Sequence, residues 1–157
     1  MSGVTVEYHI DTSDALRLLD EIKTKMKSYA VPLTEGATFL QRQFGFNFDS
    51  QGSQVGGWPV LSPVTAAYRI KHGLPGPGPM LVETGALKAA LFGMRPRIGF
   101  RTAEMSVTGK VAKFHQYGTV HMPAREIMFV PKGFAGLMAR KTLGHILPGP
   151  TFSGLLP

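Results

Sequence analysis

The chain has no cysteine, which excludes disulfides and thiolate metal sites and suits assembly in a reducing cytoplasm. It has one tryptophan and only 17% charged residues among 157. A surface so poor in charge usually has part of its area covered by something else, often copies of itself. No continuous apolar run approaches the length of a membrane span, and the opening Met1-Ser2-Gly3-Val4 lacks the basic and apolar regions of a secretory signal. Acid is nearly missing from the second half: residues 88–157 carry 10 Lys/Arg against Glu104 and Glu126, whereas residues 1–87 carry 7 against 8. The whole excess of +7 therefore sits in the second half. Such asymmetry fits either a polyanionic neighbour or basic residues scattered over a solvated face.

What is present reads as one α+β domain over residues 1–147, followed by an extended, apolar tail at 148–157. Val4, Val6, Tyr8 and Ile10 alternate with polar residues, as in a half-buried strand at 3–10. Asp11 to Asp14 can cap a helix, and apolar residues then recur at 15, 18, 19, 22, 26, 29, 33, 37, 40 and 44. This stripe predicts one long helix over 14–46, bent near Tyr29 by Pro32, or two helices nearly end to end. A mobile loop is expected at 47–57, a short helix from Ser62-Pro63 to Lys71, and a proline-stiffened loop at 73–79. Thr84 is expected to cap a helix over 85–92, with Gly85 admitting a close neighbour. Strands follow at 96–102 and 104–110, joined tightly near Ala103, then a helical turn at 111–117, a strand at 124–130 and a glycine-weakened helix from Lys132 to Ile146. In this reading the long helix packs on an antiparallel sheet made from 3–10, 96–110 and 124–130.

Several residues invite a functional reading. Trp58, between Gly57 and Pro59, is read as a core anchor rather than a partner contact. Thr84-Gly85-Ala86-Leu87 lacks the glycines and lysine of a phosphate-binding loop. His115 could serve as a base, but few carboxylates are available to orient it, and His115 with His121 lacks a third metal ligand. Both are read as structural. Gly118 should end the helical turn in a left-handed conformation. Arg125 forms either a solvated pair with Glu126 or a guanidinium contact to backbone carbonyls at a subunit boundary. No GxSxG box or paired carboxylates point to a hydrolase, so no catalytic residue, metal or cofactor is assigned.

Four segments carry a resemblance. Trp58 with Leu61, Ser62 and Thr65 comes first, then Leu81 with Thr84, Gly85 and Leu87. His115-Gln116-Tyr117-Gly118-Thr119 and Pro123-Ala124-Arg125 follow. In this order and spacing, over about residues 38–131, they resemble the virion morphogenesis family of tailed bacteriophages. The chain departs from that pattern at Glu126-Ile127-Met128-Phe129, where proline and phenylalanine are expected. The resemblance implies a structural, non-enzymatic subunit that completes the tail or joins it to the head. It further implies a self-assembled ring, commonly six-fold, around the DNA channel, localised to the virion after assembly in the host cytoplasm. Neighbouring connector and tail-tube proteins would be its other partners, and DNA would pass without specific binding. The motif residues would then build the fold. Arg95, Arg97, Arg101, Lys110, Lys113, Arg140 and Lys141 would form a basic interface. The alternative is a basic nucleic-acid-binding domain, which would require exposed aromatics interleaved with the cations.

Overall fold

A computed structural model describes residues 11–74 and 78–147. The expected strand at 3–10 and the tail at 148–157 lie outside these residues. Among the described residues the protein is α+β and mostly helical, with six α-helices and one two-stranded antiparallel sheet. The helices are α1 (Ser13–Lys25), α2 (Ala30–Asp49), α3 (Pro63–Lys71), α4 (Ala86–Phe92), α5 (Lys110–Tyr117) and α6 (Phe134–Ile146). Strands β1 (Arg97–Ile98) and β2 (Ala103–Glu104) form a hairpin between α4 and α5. No helix among the described residues is long and apolar enough to cross a membrane.

Instead of the single bent helix over 14–46, the chain forms two helices, and the proline explains the break. Pro32 has no amide to donate to the Ser28 carbonyl four residues back. The chain tightens at the end of α1, with the Lys27 and Ser28 amides reaching the Thr24 and Lys25 carbonyls at 3.1 and 3.3 Å. It then restarts at Ala30, so that Pro32 falls in the first turn of α2, where an amide is not needed. The orphaned Ser28 carbonyl is satisfied from α6, because His145 Nε2 donates to it at 2.9 Å.

The core is built around α2. Phe44 and Phe48 bury against Trp58, Met80, Leu91, Met94 and Ile127. The Phe48 and Trp58 rings meet edge-on, centroids 5.7 Å apart at 86°. α6 and α4 pack against α2, as does the hairpin, whose approach is secured by Gln41 Nε2 donating to the Phe92 and Met94 carbonyls at 2.9 and 3.0 Å.

The sheet is much smaller than the sequence suggests. The expected strands at 96–102 and 104–110 pair only through Arg97 with Glu104 and Ile98 with Ala103. The turn lies over residues 99–102, closed by the Gly99 amide on the Thr102 carbonyl at 2.7 Å, rather than at Ala103. On the far side Pro96 has no amide to extend the ladder. Met105 and Val107 turn onto the core instead.

The expected strand at 124–130 does not form. Its backbone groups are taken by side chains in place of a ladder. Gln116 Oε1 accepts from the Ile127 and Met128 amides, both at 2.9 Å, while its Nε2 donates to the Met128 carbonyl at 2.8 Å. The Glu126 carbonyl receives Asn47 Nδ2 at 3.0 Å and Trp58 Nε1 at 2.9 Å. The Arg125 amide donates to the His115 carbonyl at 2.6 Å.

The stretch at 47–57, read as a mobile loop, is likewise held down. Asn47, fully buried, accepts the Gln54 amide at 3.2 Å. Gln51 Oε1 accepts the Met80 amide at 2.6 Å. At Gly52, φ is +87° and a Cβ would strike the Trp58 ring and amide, so both conformation and space require glycine.

Candidate functional site

An open cleft of about 910 Å³ runs between α3, α4 and α5 and the loops that join them. Ten of the sixteen motif residues line it: Leu61, Ser62, Thr65, Leu81, Thr84, Gly85, Leu87, His115, Pro123 and Arg125. Segments spread over residues 61–125 thus converge on one surface. Trp58 sits behind it in the core, at 6% exposure. Gly118 and Tyr117 stand at the far end of α5.

Each wall has a local cause. Ser62 caps α3 as expected, its hydroxyl accepting the Thr65 amide at 3.2 Å, with Pro63 in the first turn. At α4 the expectation is corrected: Gly85, not Thr84, occupies the cap position, in a left-handed conformation. The Thr84 hydroxyl still accepts the Ala86 amide at 3.3 Å. A Cβ at Gly85 would meet open space, so this glycine serves its φ of +77° and not a close neighbour. Leu81 takes φ +61°, uncommon for a bulky side chain, and its segment is gripped by Arg69, whose Nη2 donates to the Pro79 and Val82 carbonyls at 3.2 and 3.1 Å. Gly118 ends α5 at φ +74° and ψ −177°, which corrects the expected left-handed conformation: φ is positive, but ψ lies in a region open only to glycine.

Arg125 is 4% exposed at the cleft floor. Its Nε donates to the Pro59 carbonyl at 3.1 Å and its Nη2 to that of Val60 at 3.4 Å. Of the two sequence readings, carbonyl contact is correct, but within the same chain rather than at a subunit boundary. The guanidinium thus ties the segment after Trp58 to the segment after α5. Burial pulls its pKa below the usual arginine value.

His115 presents a buried Nδ1 with no hydrogen-bond partner. Desolvation first, and the nearby Arg125 charge second, lower its pKa from the ordinary 6.5, so the ring is neutral at pH 7. Glu83 is the only carboxylate among the lining residues, and no group of three metal-binding side chains occurs among the described residues. Because the folded pKa is depressed, the unfolded chain binds the proton more readily. Stability from this residue is therefore present above about pH 6.5 and declines as pH falls below it. A urea-midpoint series from pH 7.5 to 5 should show this loss, and His115→Gln should flatten it. Equal slopes in both proteins would contradict the assignment.

The basic residues divide. Lys141 is engaged at home with Glu35 at 2.6 Å, and Lys88 with Asp49 at 2.7 Å. Arg97 lies opposite Glu104 in the hairpin register. Arg95, Arg101, Lys110, Lys113 and Arg140 are exposed and have no ion pair among the described residues. Aromatic rings also reach the surface. Phe100, Phe114 and Tyr117 are 61%, 46% and 77% exposed. The Arg101 guanidinium lies over the Phe100 ring, 5.3 Å from its centre. Sequence reasoning missed Asn47 and Arg69, and named Gln116 only as part of a motif run. Their side chains bind backbone in other segments, 10 to 79 residues away, and no local signal marks that.

No protein-family model, curated protein or solved structure matches this chain.

Proposed function

We propose that this protein is a non-enzymatic structural subunit of a tailed bacteriophage, completing the tail and joining it to the head as a ring around the DNA channel. The observation that carries this reading is the convergence of the motif segments. Trp58 and Asn47 bind the Glu126 carbonyl, Arg125 binds Pro59 and Val60, and the His115 carbonyl receives the Arg125 amide. Residues that resemble the family pattern therefore serve one another as a scaffold, the role the resemblance implies. The exposed α1 leucines and outward aromatics of α5 leave apolar surface for neighbours, as ring subunits with heterologous contacts require. Six copies in the virion neck or tail, with connector and tail-tube proteins above and below, are the assembly this reading entails.

Interrupting the gene in the genome that carries it should yield lysates of separate heads and tails. Infectious, joined particles lacking the protein would overturn the reading.

A second reading, a nucleic-acid-binding domain, gains from one observation. Phe100 with Arg101, and Phe114 and Tyr117 with Lys110 and Lys113, supply the exposed cation–aromatic interleaving that such a domain needs. Salt-dependent binding of single-stranded DNA by the monomer would favour it.

A further inference from the structure

Arg125, at the floor of the cleft, has a donor to spare. Its Nε and Nη2 hold the Pro59 and Val60 carbonyls, whereas Nη1 has no hydrogen-bond partner among the described residues. Only His115 Nδ1 is both sealed and unpartnered there, so Nη1 keeps contact with the cleft that Arg125 lines. No carboxylate among the described residues forms an ion pair with this guanidinium. A charge buried to 4% exposure is costly unless a countercharge meets it, and two carbonyl dipoles compensate only in part. The cleft supplies no countercharge. Its one lining carboxylate, Glu83, is exposed, and Arg69 and Lys110 add further positive charge. The first turn of α5, which also lines the cleft, has neither a side-chain cap nor an acidic residue.

The rest of the lining decides which anion fits. Leu61, Leu81, Leu87 and Val111 make much of the wall aliphatic, and no Phe, Tyr or Trp is among the lining residues. A nucleotide or a single strand would find no ring to stack on. A lone phosphate would leave the aliphatic wall in water. A volume of about 910 Å³ lies at the upper end for a small ligand and admits a short stretch of extended chain. We propose that the cleft binds an extended acidic peptide segment of a partner protein. One Asp or Glu carboxylate of that segment takes Arg125 Nη1, and its aliphatic neighbours cover Leu61, Leu87 and Val111. The site goes beyond the ring reading and stands or falls separately from it.

The test is fluorescence polarisation of the full chain with short, end-blocked peptide libraries flanked by leucine and valine. The central position is fixed as glutamate, glutamine or phosphoserine. The glutamate library should bind, and the glutamine library should bind about tenfold more weakly or worse, the worth of a charged hydrogen bond. Arg125→Met should abolish the difference between the two. Lys110→Glu changes an exposed residue at a helix start that tolerates acid, so the fold survives even where the Arg125 variant fails to fold. It should weaken glutamate binding about fivefold or more, because a like charge then stands at the cleft. Absence of glutamate binding, equal binding of the glutamine library, or binding unchanged by Lys110→Glu would overturn the proposal. Tighter binding of phosphoserine, inorganic phosphate or a labelled oligonucleotide than of glutamate would make this a phosphate site and overturn it as well.

Discussion

Trp58→Ala should destabilise the protein by about 3–5 kcal/mol, the range for deleting a large buried aromatic. Three losses combine in that figure. The ring leaves the edge contact with Phe48, the indole N–H leaves the Glu126 carbonyl, and the tight turn through Gly52 loses the ring it encloses. Trp58→Phe separates them: it keeps most of the packing and should cost less, since a single neutral hydrogen bond contributes about 1 kcal/mol. Asn47 still donates to the same carbonyl, which limits the penalty of leaving it unmet. Urea unfolding followed by far-ultraviolet circular dichroism measures both. A change below about 1 kcal/mol in the alanine variant, with assembly lost, would make Trp58 an interface residue instead.

Arg125→Met should cost about 2–4 kcal/mol, because a buried charged donor is removed and the Pro59 and Val60 carbonyls lose it. Methionine keeps the stem's apolar bulk, so the effect isolates the guanidinium rather than a cavity. Arg125→Lys should recover only part of the loss. An ammonium is a point donor and cannot reproduce the fork that reaches Pro59 through Nε and Val60 through Nη2. Equal stability of the methionine variant and wild type would show that this arginine is held for a partner and not for the fold.

The helices were largely legible. Ser62-Pro63 predicts the start of α3 and Lys71 its end, and the expected helices over 85–92, 111–117 and 132–146 appear within two residues of those bounds. Caps and three-and-four spacing are local signals, and they survive folding. Strands were not legible in the same way. Residues 124–130 have apolar content suited to a strand, but Gln116, Asn47 and Trp58 occupy their backbone groups. One glutamine eleven residues from Ile127 replaces a ladder, and sequence pattern carries no trace of that choice.

The candidate site was legible as a set of residues, not as a place. The motif segments were identified individually, while their meeting in one cleft depends on side chains such as Arg69 that had no motif to mark them. The α1 stripe was misjudged for a different reason. Periodicity reports an amphipathic face and not what covers it, and here Leu16, Leu18 and Leu19 remain exposed. Tyr117 shows the same limit from the other side, since a motif tyrosine assigned to the fold stands 77% exposed.

The most direct measurement of the central claim is negative-stain imaging of the purified full-length protein across a concentration series, paired with native mass determination. The account predicts closed rings of one size with an open centre, six subunits each, increasing at the expense of monomer. A monomer at all concentrations, or open chains that never close, would contradict it.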